Sequence, residues 1–193
     1  MVQAVAGAGK TTFLLNQLNL ENNVALITYT KNNQEQLKEN IIKKFGYYPN
    51  NIHVFGLFEF LYNFCYRPLQ NKYPITGICF DHPSPYLKGF HHKDGRIYSN
   101  QISRLLLAEK INYLTRIERF FDYFYIDEVQ DIAADDFDWL MSLKDLKIPV
   151  TLVGDFYQST FVSSRRGNKG KAIYSSIENY KNQLKELKND VDR

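Results

Sequence analysis

Five short apolar runs punctuate this chain: Val2 to Ala6, Val24 to Tyr29, Ile52 to Phe55, Tyr123 to Ile126 and Val150 to Val153. Runs of this length, rich in β-branched and aromatic residues, read as strands buried in a sheet. The segments between them have a helical period. Leu14 and Leu18 mark a helix over Thr11 to Leu18, Leu37, Ile41 and Phe45 a second over Asn33 to Phe45, and Leu107, Ile111 and Leu114 a third over Gln101 to Ile117. Strands alternating with helices are joined by right-handed crossovers, so the expected fold is α/β, a largely parallel sheet with helices on both faces.

The chain has 193 residues, 44% hydrophobic and 23% charged, which suits one well-cored domain over 1–193 and excludes disordered and fibrous classes. A net charge of +3 permits contact with nucleic acid without demanding it. Cys65 and Cys79 form neither a CxxC pair nor a disulfide framework, which points to a reducing compartment, and the cytoplasm is the expected location. The N-terminus shows no basic and apolar leader, and no run of about 18 apolar residues occurs, so no membrane partner is expected.

The stretch from Tyr66 to Ser99 breaks the rhythm, with Pro68, Pro74, Pro83 and Pro85, three glycines and three of the four histidines, and reads as an insertion. Cys65, Cys79, His82, His91 and His92 lie in or beside it. Only Cys79 and His82 stand at close ligand spacing, so a zinc site is the less favoured reading. From Lys171 to Arg193, Ile173, Ile177, Tyr180 and Leu184 suggest a helix that ends in charge.

Three segments carry chemistry. In AVAGAGKTT, Ala4 to Thr11 follow the phosphate-binding loop spacing between a strand and a helix, with Ala4 where the first consensus glycine stands. Gly7 and Gly9 let the backbone aim amides at phosphate oxygens, so Ala6, Gly7, Ala8, Gly9 and Thr12 would cradle a nucleotide. Lys10 would reach the β/γ-phosphates and the Thr11 hydroxyl would ligate magnesium. In FYIDEVQD an apolar strand delivers two carboxylates to its C-terminal end, where Asp127 would hold magnesium and Glu128 would act as general base on water. A carboxylate pair after a strand also serves plain helix capping. In VTLVGDFYQST a third strand ends in Gly154 and Asp155, and Gln158 could hydrogen-bond both a γ-phosphate oxygen and the catalytic water.

Taken in order, AVAGAGKTT, YIDEVQD and LVGDFYQS resemble motifs I, II and III of the UvrD/Rep group of superfamily-1 DNA helicases. ALITYTKNNQEQLKENI and NIHVFGLFEFL look like the group's motifs Ia and Ib, so the resemblance spans nearly the whole chain. It implies the first RecA-like domain of a P-loop NTPase motor that uses ATP and Mg2+ on single-stranded DNA, with catalytic roles for Lys10, Glu128 and Gln158. It also implies nucleic-acid contacts at Tyr29, Thr30, Lys31, Phe55 and Phe161. Lys31 and Asn32 stand where the group has Asn-Lys, and Val54 and Gly56 replace its Thr and His. Among 14 Phe and 14 Tyr, burial in the core competes with base stacking as the role of each aromatic. The insertion at 66–99 resembles a reduced form of the group's accessory subdomain.

Motifs IV to VI, which belong to a second RecA-like domain, are not found, so the expectation is a fragment or split gene product. It would be completed by that domain or subunit; a nuclease is a further partner the resemblance allows, and DNA repair, a mobile element and antiviral defence stay open as its setting. In the group the second domain supplies arginines to the γ-phosphate, so the isolated chain would turn over slowly. Two other classes stay open: a non-catalytic nucleotide- or DNA-binding module, and a P-loop nucleoside kinase.

Overall fold

The computed structural model describes residues 2–3, 9–70, 75–81, 89–154, 178–179 and 182. Ala6, Gly7, Ala8, Gln158 and Phe161 lie outside them, as does most of the helix read over 171–193. In chain order the elements are β1 (Val2–Gln3), α1 (Lys10–Gln17), β2 (Val24–Thr28), α2 (Lys31–Phe45), β3 (Ile52–Gly56), α3 (Leu57–Glu59), β4 (Ile78–Cys79), β5 (Ile97–Tyr98), α4 (Ile102–Ala108), α5 (Tyr113–Phe120), β6 (Tyr123–Ile126), α6 (Ala134–Ser142) and β7 (Val150–Gly154). The chain divides into two compact units, one of 1–60, 114–131 and 146–160, the other of 61–113, 132–145 and 161–193.

The first unit is α/β. Its five strands pair in the order β1-β7-β6-β2-β3, every neighbour parallel, so all five carboxyl ends open on one edge. Side chains alternate across the sheet as the strand period requires. Val24 and Leu26 of β2, Ile52 and Val54 of β3, Tyr125 and Val153 share one face with Leu14 and Leu18 from α1 and its end and Leu37 and Ile41 of α2. The other face carries an aromatic cluster: Phe60 lies 5.3 Å from Phe55 and 5.4 Å from Phe124, and Phe121, just past α5, lies 6.2 Å from Phe55. Because both faces are covered, β2 is buried along its whole length.

α1 is anchored at its far end. Lys44 of α2 donates to the carbonyl oxygens of Leu15 and, at 2.8 Å, Leu18, placing a cation on the negative end of the helix.

In the second unit, α4 and α6 pack around the fully buried Trp139, and Ser103 Oγ donates to Asp136 Oδ1 at 2.6 Å. The insertion belongs here, with β4 and β5 forming a two-stranded parallel pair. α3 runs on as a π-helical segment, Phe60–Tyr66, closed by Arg67 N–H donating to Tyr62 O five residues back.

The helix expected from Gln101 to Ile117 is broken into α4 and α5. Lys110 takes a left-handed conformation (φ 51), its N–H donates to Leu107 O at 3.3 Å, and Ile111 N–H donates to Leu106 O at 3.1 Å. This is a Schellman stop, with a lysine where glycine usually stands. The apolar period continues through the break, so periodicity alone hides it. Among the described residues no helix is long and apolar enough to cross a membrane.

Candidate functional site

The site lies wholly within the first unit, at the carboxyl edge of its sheet. There α1 begins with Gly9 as its N-cap, and Gly9 has φ 81, a left-handed conformation that only glycine adopts without strain. The first intrahelical bond is Phe13 N–H to Gly9 O at 2.8 Å, so the amides of Lys10, Thr11 and Thr12 have no acceptor within the helix. No side chain caps this end and no acidic residue sits in its first turn. A helix start with free amides and an uncompensated positive dipole is a ready anion site.

Lys10, the first residue of α1, places Nζ 3.2 Å from Glu128 Oε2, and both side chains are largely shielded from solvent. β7 lies between β1 and β6, and still the first residue of α1 meets the turn after β6. Gln130 Nε2 donates to the same Glu128 oxygen at 2.6 Å. Glu128 itself adopts φ 53, a left-handed conformation unusual for a residue with a long side chain, and its N–H donates to Asp127 Oδ1 at 3.0 Å. Strain of this kind persists only where the surroundings over-determine it, and it concentrates at functional turns.

Gly154 makes room for this arrangement. A Cβ there would fall 2.5 Å from Gln130 Oε1 and 2.8 Å from Val129 Cγ1, so the end of β7 must lack a side chain for the turn after β6 to pack against it.

Asp127 is 6% exposed at the end of β6, and its N–H donates to Ile27 O at 2.8 Å. Burial pushes its carboxyl up to about 6 and the Glu128 charge adds to this, while the Glu128 N–H and the Lys10 ammonium pull it back. The lysine is engaged by Glu128, and Asp127 is left as a buried carboxylate whose negative charge is poorly balanced. Alongside it, one residue past the Ile27–Ile126 rung, the Thr28 hydroxyl is buried with no hydrogen-bond partner among the described residues. An under-neutralised buried acid beside an orphaned hydroxyl fits a hard divalent cation with its water shell. Thr11, half-buried in the first turn of α1, is the second oxygen donor that the sequence assigned to such an ion.

Of the nucleotide residues expected from sequence, the structure therefore brings Lys10, Asp127 and Glu128 together and puts Gly9, Thr11 and Thr12 at the helix start. Sequence reasoning gave no role to Gln130, Thr28 or the conformation of Glu128. A polar residue two positions after the carboxylate pair was the available signal for Gln130.

The residues expected at nucleic acid are placed less uniformly. Thr30 is the N-cap of α2, its Oγ1 accepting from Asn33 N–H at 3.1 Å, and Lys31 is exposed in the first turn of that helix. Tyr29 is half-buried, its ring edge-on to Phe58 at 5.7 Å. Phe55 lies within β3, half-buried in the aromatic cluster and stacked at 6.1 Å on His53. No protein-family model and no curated protein matches this chain.

Proposed function

We propose that the first unit binds ATP with magnesium and acts as the hydrolytic core domain of a UvrD-like DNA helicase or single-stranded DNA translocase. The meeting of Lys10 and Glu128 beside buried Asp127 carries this reading. It joins a phosphate-seeking helix start to a paired-carboxylate turn at the edge where parallel α/β sheets bind ligands.

On this reading the amides at the start of α1 and the Lys10 ammonium receive the β/γ-phosphates. Lys10 then exchanges Glu128 for phosphate, which frees the carboxylate to accept a proton from the attacking water, while Gln130 keeps it oriented. Magnesium, held by Thr11 and Asp127, would neutralise charge on the phosphate oxygens. Gln158, four residues past β7 in sequence, would sense the γ-phosphate and the attacking water, the role the resemblance implies for it. Lys31, exposed at the same sheet edge, offers a cation to a single strand, and Tyr29 beside it is the aromatic the resemblance assigns there. Arginines from a second RecA-like domain or subunit would complete the transition-state charge balance, so the chain alone would turn over slowly.

The test is phosphate release by the purified chain with and without single-stranded DNA, alongside Lys10→Ala. DNA-stimulated release that the substitution abolishes supports a motor. Nucleotide binding without release even when a second domain is supplied supports a non-catalytic module, and phosphate transfer to a nucleoside supports a kinase.

A further inference from the structure

The second unit holds a cluster that the nucleotide reading does not use. β5 pairs on one side with β4 and is bridged on the other, at Ile97, by His91. The chain turns back between these segments, with His92 N–H donating to Arg96 O at 2.7 Å and Tyr98 N–H to Phe90 O at 3.1 Å. This small sheet gathers Cys79, Asp81 and His92 so that one donor atom from each lies within 4.8 Å of the other two. Cys79 is fully buried, with Sγ 3.3 Å from Asp81 Oδ2. His92 is fixed by its other partner: Nδ1 lies 2.8 Å from Asp94 Oδ1, and Asp94 is in turn held by Arg96 Nε at 2.7 Å.

From this geometry we infer that Cys79, Asp81 and His92 form a transition-metal site, for which Zn2+ is the fitting ion. A thiolate beside an imidazole is a soft and borderline donor set, which magnesium and calcium do not select. With Nδ1 engaged by Asp94, coordination falls to Nε2, and a carboxylate hydrogen-bonded to one ring nitrogen is the usual device for orienting a histidine that binds metal through the other. Three protein donors leave one position of a tetrahedron for water. Binding releases the proton that Cys79 shares with Asp81, and the ion clips β4 to the turn before β5. The site stands apart from the nucleotide reading and survives its failure.

Co2+ added to the full chain, with Mg2+ in excess, tests it. Expected are uptake of one Co2+ with thiolate-to-cobalt charge-transfer absorption and the strong d–d bands of a tetrahedral site, both erased by Zn2+. Asp81 is exposed, so Asp81→Asn keeps the fold, and it should weaken cobalt binding about tenfold or more. Cys79→Ser should remove the charge-transfer band, whereas Cys65→Ser and Asp127→Asn should leave it. Absence of the band in the parent chain would overturn the inference, as would its survival in Cys79→Ser or an unchanged affinity in Asp81→Asn. Absence of the band in the parent would leave Cys79 as a thiol donating a hydrogen bond to Asp81.

Discussion

Lys10 Nζ and Glu128 Oε2 lie 3.2 Å apart although 118 residues separate them in sequence. In the proposed mechanism one binds phosphate and the other activates water, and without nucleotide they neutralise each other. The pair is therefore a competitor for nucleotide as well as part of the machinery.

Glu128→Gln should tighten binding of a fluorescent ATP analogue by roughly fivefold, about 1 kcal/mol, because the lysine is released and a charge that repels the polyphosphate is removed. Turnover in the completed motor should fall by about 10² or more, the usual contribution of a general base. Analogue titration and single-turnover phosphate release measure the two effects separately. Unchanged turnover would remove Glu128 from the chemistry.

Asp127 is buried with its carboxyl pushed up to about 6, chiefly by desolvation and then by the Glu128 charge. A pKa raised on folding contributes stability that is full below the ordinary value near 3.8 and is lost as pH rises through 6. Asp127→Asn should therefore stabilise the magnesium-free chain at pH 8, by up to about 3 kcal/mol, and the advantage should vanish near pH 4. Magnesium should stabilise the parent and not the variant. Urea unfolding at the two pH values, with and without magnesium, reads all three effects.

The same residues show what the sequence could and could not reveal. β2, β3, β6 and β7 were legible nearly to the residue, because buried runs bounded by turns leave few alternatives. Lys10, Asp127 and Glu128 were legible as types because each follows a strand. The break at Lys110 was not, since its carbonyls are capped by backbone amides and no glycine marks it. β4 and β5, two residues each, are too short for a period to show. A zinc site on Cys79 and His92 is disfavoured from sequence because their spacing is irregular; Asp81, the third donor, is unremarkable in sequence, and His92 reaches the other two only through the turn before β5.

Gly154→Ala should destabilise the first unit by about 1 to 3 kcal/mol, because its methyl would meet Gln130 Oε1 at 2.5 Å and Val129 Cγ1 at 2.8 Å. Pairing it with Gln130→Ala should recover part of the loss but not the orientation of Glu128. Thermal unfolding of the single and double variants checks the coupling; equal losses that simply add would place Gln130 away from β7.

Thr30 caps α2 through Oγ1. Thr30→Ala should cost about 1 kcal/mol of stability, while Thr30→Ser keeps the cap and costs little. Measured by fluorescence anisotropy, single-stranded DNA binding that tracks stability across both variants assigns Thr30 to the helix. A loss in Thr30→Ser at full stability assigns it to the strand.

On the proposed mechanism the start of α1 and the turn after β6 form one nucleotide site. Titration of a fluorescent ATP analogue, with magnesium, into the parent chain and Lys10→Ala tests it most directly. Expected is saturable, magnesium-dependent binding in the parent, weakened about tenfold or more in the variant by loss of a charge-assisted contact to phosphate. Equal affinity in both chains, or no binding in the parent, would contradict it.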